Sequence, residues 1–207
     1  TILFYVGRHK FIAIEAVGWK KYRKEVLSPS GLKALLGLGI LYLFIAFFWA
    51  LFDQTGSSWV LQADKMNLMV DFGFISFLLL PSQIQAVNPI MIMAFIPLFA
   101  IFIYPFVGKF TQVTPLRKIG TGFFLTALSF TVIAYVEMLI VAGQKPTILW
   151  HVLAYGLITA GEVLISITAL EYSYTQAPNA MKSIVMGVYL FGVSLGNSIT
   201  AFINWFI

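Results

Sequence analysis

Five long apolar stretches run through this chain, at about residues 31–63, 79–107, 116–142, 148–172 and 181–207. A helix that crosses a bilayer needs about 20 mostly apolar residues. Each stretch meets that requirement. Water is a poor solvent for such a chain: 60% of its residues are hydrophobic and 10% are charged, against about 25% charged in soluble domains. The mean hydropathy of +0.91 agrees. Strands of a membrane barrel would alternate polar and apolar residues over ~10-residue segments, and no such alternation is present. The fold expected is therefore all-α and polytopic, with five spans visible.

The charges set an orientation. Lys20, Lys21, Arg23, Lys24 and Lys33 precede or open the first stretch, Lys109, Arg117 and Lys118 lie between the second and third, and Lys182 lies between the fourth and fifth. The intervening loops carry Asp64, Lys65 and Asp71 in one case and Lys145 in the other. Basic residues thus concentrate on alternate loops, as the positive-inside rule requires. The first span starts in the cytoplasm and the fifth ends outside. The net charge of +5 is explained by these loops rather than by a nucleic-acid partner. With no Cys and only His9 and His151, neither disulfides nor a thiolate or histidine metal site is expected.

Residues 1–30 read as a separate piece. Residues 1–6 suit the end of a preceding helix, and residues 8–24, basic with Trp19 and Tyr22, suit a cytoplasmic connector lying on headgroups. Ser28-Pro29-Ser30-Gly31 is turn chemistry, with Ser28 or Ser30 placed to cap the next helix. The chain opens on Thr1 and closes on apolar Asn204-Trp205-Phe206-Ile207, so it is expected to be truncated at both ends.

Polar groups inside the spans carry the functional signal. An ionised side chain at mid-bilayer costs about 2.5–3.5 kcal/mol on insertion scales. Asp53, Glu137, Glu162 and Glu171 fall within the predicted spans. Glu137 and Glu171 lie within two turns of span ends and read as interfacial or structural. Asp53 and Glu162 are deeper and read as functional. Trp49 and Ser57 stand at i−4 and i+4 from Asp53, on one face of a regular helix. Thr159 and Ser166 flank Glu162 in a polar stripe, with Gly156 and Gly161 nearby to permit close helix approach. Ser82, Gln85 and Asn88 recur every three residues in the second span. Asn88 has two readings here, a member of that stripe or a cap ahead of Pro89. Pro81, Pro89, Pro97 and Pro105 predict kinks in the second span. The GxxxG of Gly192 and Gly196 predicts close helix packing. No HExxH, GxSxG or phosphate loop occurs, so two deep carboxylates on separate spans point to charge coupling and transport rather than to an enzyme.

The motifs fit one family. FWALFDQTGSSW at residues 48–59, followed by VLQADKM, resembles the seventh helix of proton-coupled oligopeptide transporters. PSQIQAVNP at 81–89 resembles their eighth. GEVLISITALEYSYTQAP at 161–178, followed by NAMKS, resembles the tenth and its following turn, and GVSLGN at 192–197 fits the eleventh. The resemblance implies the C-terminal bundle, residues 31–207, of a major-facilitator-type transporter whose N-terminal six-helix half is its partner. It implies proton-driven symport of di- and tripeptides, with protons as coupling ion and no cofactor. Glu162 would bind the peptide amino terminus and Asn88 would line the site. Trp49 would form cavity wall, and Ser166 of the polar stripe and Tyr189 are counted with the substrate-binding residues. Asp53 would pair with a base of the other half and couple protonation to gating. Tyr189 stands where many bacterial members carry a cavity Trp. The short loop at 143–150 lacks the large extracellular domain of animal members, which favours a bacterial inner-membrane protein. The family's ExxER motif belongs to the first helix and is not in this chain. Some plant relatives carry nitrate or other solutes, and a peptide-binding membrane protein that does not transport is a further alternative.

Overall fold

The computed structural model describes Tyr5, Gly7 and residues 18–206 apart from Phe72, Asn179 and Ala180. The expectation for residues 1–6, and most of that for the connector, lies outside the described residues. The connector's end is a short helix, Trp19–Val26, with Trp19 and Tyr22 stacked at 5.8 Å. Five helices among the described residues are long and apolar enough to cross a membrane: Pro29–Ala63, Pro81–Gly108, Pro115–Val141, Leu149–Gln176 and Lys182–Phe206. Each lies within about four residues of its expected bounds. The protein is an integral, multi-pass membrane protein.

Helix starts follow local chemistry. Ser28 caps the first span, its Oγ accepting from Gly31 N at 3.0 Å, with Pro29 at the first helical position. Thr114 caps the third in the same way ahead of Pro115. The predicted kinks in the second span take specific forms. A 3₁₀ segment, Pro81–Ala86, opens it, and a π-turn, Phe99–Ile103, lies between Pro97 and Pro105. A proline has no N–H for the preceding turn, and the altered hydrogen-bond spacing absorbs the loss.

The spans pair closely, the first with the fifth and the third with the fourth. Small residues make this possible. A Cβ on Gly196 would stand 2.6 Å from Ala46 O and 2.8 Å from Trp49 Cβ. A Cβ on Gly161 would stand 2.8 Å from both Gly122 O and Thr126 Oγ1. The GxxxG reading is thus realised against the first span. The fourth span is the centre of the bundle, 56% buried over its most apolar window, whereas the second is 6% buried. Large apolar side chains such as Phe124, Phe191 and Phe202 point outward, as a lipid-facing surface requires.

The loop between the first two spans contains a hairpin that the sequence reading did not foresee. Strands β1 (Met69–Asp71) and β2 (Ser76–Leu78) pair antiparallel. Gly73, at φ +81°, takes the turn conformation that other residues resist, and donates its N–H to Asp71 Oδ1 at 2.8 Å. Asn67 N donates to Pro146 O at 2.9 Å and Ile148 N donates to Asn67 O at 3.0 Å, tying the two loops together.

Candidate functional site

The first span does not stay α-helical through Asp53. It changes to a 3₁₀ turn over Asp53–Gly56 and resumes at Ser58–Ala63. Such a break strands carbonyls, which in lipid must find donors. Hydroxyls supply them. Tyr155 Oη donates to Thr55 O at 2.9 Å, Ser57 Oγ to Asp53 O at 3.4 Å, Ser58 Oγ to Gln54 O at 3.4 Å and Thr200 Oγ1 to Ala50 O at 2.9 Å. This corrects the expected Trp49–Asp53–Ser57 face. Trp49 keeps its place one turn before Asp53, but Ser57 turns back onto the broken backbone and onto Gln54 Oε1 at 3.0 Å. Trp49 is half-buried in an aromatic cluster, 5.5 Å from the Phe48 ring and 5.4 Å from Phe52.

The side chain of Asp53 is half-buried. With the Asn197 amide oriented donor to acceptor, its Nδ2 donates to Asp53 Oδ2 at 2.8 Å and to Val193 O at 3.0 Å. Asn197 thus brings the fifth span to the first. The sequence reading had treated it only as the last residue of the GVSLGN stretch.

Glu162 closes the first α-helical part of the fourth span, a π-turn, Val163–Ile167, follows at once, and the α-helix resumes over Thr168–Gln176. Such turns cluster at functional sites because they redirect the side chains beside them. Glu162 is half-buried, and Asn88 Nδ2 donates to its Oε2 at 2.9 Å. The same Nδ2 donates to Thr159 Oγ1 at 3.0 Å. Asn88 lies inside the helix that begins at Val87, so the capping alternative is set aside. Of the expected stripe, Ser82 and Gln85 are exposed and Asn88 alone reaches the fourth span by its side-chain bonds. Ser166 Oγ donates to Glu162 O at 2.8 Å, and Tyr189 Oη lies 3.5 Å from Ser166 O. Tyr189 is buried, edge-on to Tyr42 at 6.0 Å.

The structure therefore joins Asn88, Thr159, Glu162, Ser166 and Tyr189 into one polar group on three spans. Asp53 and Trp49 form a neighbouring group with Asn197. Among the described residues neither carboxylate pairs with a Lys or Arg side chain, and no cluster of His, Asp and Glu could hold a metal ion.

A third polar group escaped the sequence reading. Gln62 Nε2 donates to Glu137 Oε2 at 2.6 Å and to Ile133 O at 3.2 Å, while Gln62 Oε1 lies 2.8 Å from His151 Nε2. Gln62 and His151 are buried. Glu137, expected to be interfacial or structural, anchors one end of this chain, which links the first, third and fourth spans.

Residues 9–207 match the PTR2 profile, described as the POT family. The "Solute carrier family 15 member 2" of Danio rerio is 42% identical over 123 residues, covering 59% of this chain and 16% of its own length. The "Peptide transporter PTR2" of Saccharomyces cerevisiae is 29% identical over 182 residues, covering 81% of this chain and 29% of its own. The crystal structure of the POT family transporter PepTSo superposes with a TM-score of 0.74 at 36% identity, over 84% of this chain and 34% of that one. An auto-inhibited POT family peptide transporter gives a TM-score of 0.75 at 30% identity, over 90% of this chain and 36% of that one. The matched region thus spans between 16% and 36% of the length of these relatives.

Proposed function

Because the chain belongs to the POT family, we propose that it forms most of the C-terminal half of a symporter that moves di- and tripeptides with protons. Residues 31–207 are the C-terminal bundle in this reading, and an N-terminal six-helix half of the same transporter is the partner. The protein is a transporter rather than an enzyme, and protons couple its transport without a cofactor. The short loop at 143–150 supports a bacterial cytoplasmic membrane as the location; the relatives quoted above by organism are eukaryotic.

One observation carries the reading. Glu162, on the most buried span, has one oxygen held by Asn88 and no cationic partner in the described chain. A peptide ammonium is the charge that complements it. A charge-assisted hydrogen bond between the two gains strength in a low-dielectric cavity. Asn88 fixes the carboxylate rotamer, so less ordering remains when the ligand arrives. Ser166, Tyr189 and Trp49 extend the wall on which the peptide rests. Asp53 is the coupling residue in this account. Ionised, it attracts a base on the other half; protonated, it releases that base and lets the halves rock about the site. Asn197 holds it in place for both states.

The test is uptake of a labelled dipeptide into proteoliposomes holding the complete transporter. An inward proton gradient drives accumulation in the wild type and none in Glu162→Gln. Accumulation at the wild-type rate in that variant would remove the role given to Glu162. Accumulation indifferent to the gradient would remove the coupling.

A further inference from the structure

The second and third spans part near the loop that joins them, which its basic residues assign to the cytoplasm, and leave a cleft of about 350 Å³. Its walls are apolar: Phe99, Ile103 and Val107 from the second span and Leu164 from the fourth. Its mouth is cationic, formed by Arg117 and Lys118 at the start of the third span. Lys118 Nζ sits 4.1 Å above the Tyr104 ring centroid. Arg117 Nη1 donates to Thr111 Oγ1 and to Gln112 O at 3.0 Å. Its other N–H groups make no hydrogen bond among the described residues. Neither cation forms an ion pair among the described residues, and the exposed Glu171 of the fourth span acts electrostatically on Tyr104. Phe106 and Phe110, 61% and 76% exposed, pack edge-to-face at 5.3 Å in the same stretch of chain as the lining residue Val107.

From this juxtaposition we propose that the cleft binds one anionic phospholipid, its phosphate against Arg117 and Lys118 and an acyl chain between the second and third spans. The apolar walls decide for a lipid over a free anion, because a phosphate ion would leave them wet. The paired cations decide for an anionic headgroup over a zwitterionic one, and the cytoplasmic leaflet is where such headgroups concentrate. Both cations lie on the third span, which carries none of the residues given to the peptide site, and the inference requires only that the chain spans a membrane with this end in the cytoplasm.

Native mass spectrometry of the purified full-length protein tests it, with phosphatidylglycerol, phosphatidylcholine and inorganic phosphate as probes. The wild type retains one phosphatidylglycerol in preference to phosphatidylcholine, and inorganic phosphate does not displace it. A cation near an anionic lipid surface is worth about a fivefold gain, so Arg117→Gln with Lys118→Gln weakens phosphatidylglycerol retention roughly 30-fold and leaves phosphatidylcholine unchanged. Gly120 also lines the cleft, and a Cβ there meets no atom within 4 Å. Gly120→Phe therefore fills the space and abolishes retention of the bound lipid at an unchanged thermal midpoint. Equal retention of the two lipids by the wild type, displacement by inorganic phosphate, or full retention in both variants overturns the proposal.

Discussion

Replacing Glu162 by Gln keeps the shape of the side chain and removes its charge. Asn88 still finds an acceptor, because the glutamine oxygen can take the 2.9 Å bond that Oε2 accepts now. Packing and local hydrogen bonding are thereby nearly conserved, and the loss falls on whatever cation the second oxygen receives. A hydrogen bond to a charged group contributes about 1.5–3 kcal/mol, so peptide affinity should fall by roughly 10- to 150-fold. The informative comparison uses two ligands. A dipeptide with a free amino terminus loses that affinity in the variant, whereas its N-acetylated analogue, with no ammonium, binds wild type and variant alike. Calorimetric or fluorescence titration of the complete transporter reads both. Equal losses for the two ligands would refute the assignment of Glu162 to the ammonium. A loss below about threefold for the free dipeptide would refute it as well.

Other consequences follow from the same geometry. Asp53→Asn retains the bond from Asn197 but cannot ionise; exchange of labelled for unlabelled peptide without a gradient should persist while gradient-driven accumulation is lost, and loss of both would count against a coupling role. Gly196→Leu drives a side chain into Ala46 O and Trp49, and overpacking of this kind costs about 1–3 kcal/mol; the thermal midpoint in detergent should fall, and an unchanged one would deny the close approach of the first and fifth spans. Gln62→Leu strands His151 Nε2 and Glu137 at once, at about 1–3 kcal/mol for each buried polar group. Adding His151→Leu to that variant should recover part of the loss, and strict additivity in thermal unfolding would mean that the two side chains do not interact.

The spans were legible because hydropathy over 20 or so residues is set by the solvent and needs no tertiary partner. Their ends were legible too, where Ser28-Pro29 and Thr114-Pro115 cap and start helices. That Asp53 and Glu162 fall inside span-length helices could likewise be read along the chain. Their partners could not. Asn88 approaches Glu162 only because the second and fourth spans cross there, and local spacing left its capping alternative open. Asn197 was only the last residue of the GVSLGN stretch until the GxxxG motif within it was seen to press the fifth span onto Ala46, which brings the amide to Asp53. Ser57 was misplaced because periodicity assumes an unbroken helix, whereas the chain tightens at Asp53. Gln62, Glu137 and His151 each resembled an isolated polar residue near a span end; only packing joins them. The hairpin had a faint signal in Asp71 and Gly73, but three-residue strands are too short for an alternation to be recognised.

The most direct test of the central claim is a structure of the complete transporter with a bound dipeptide. The account places the peptide's amino nitrogen within hydrogen-bonding distance, about 3 Å, of a Glu162 carboxylate oxygen, with Asn88 on the other. An ammonium held elsewhere, or a Glu162 side chain turned toward lipid, would contradict it.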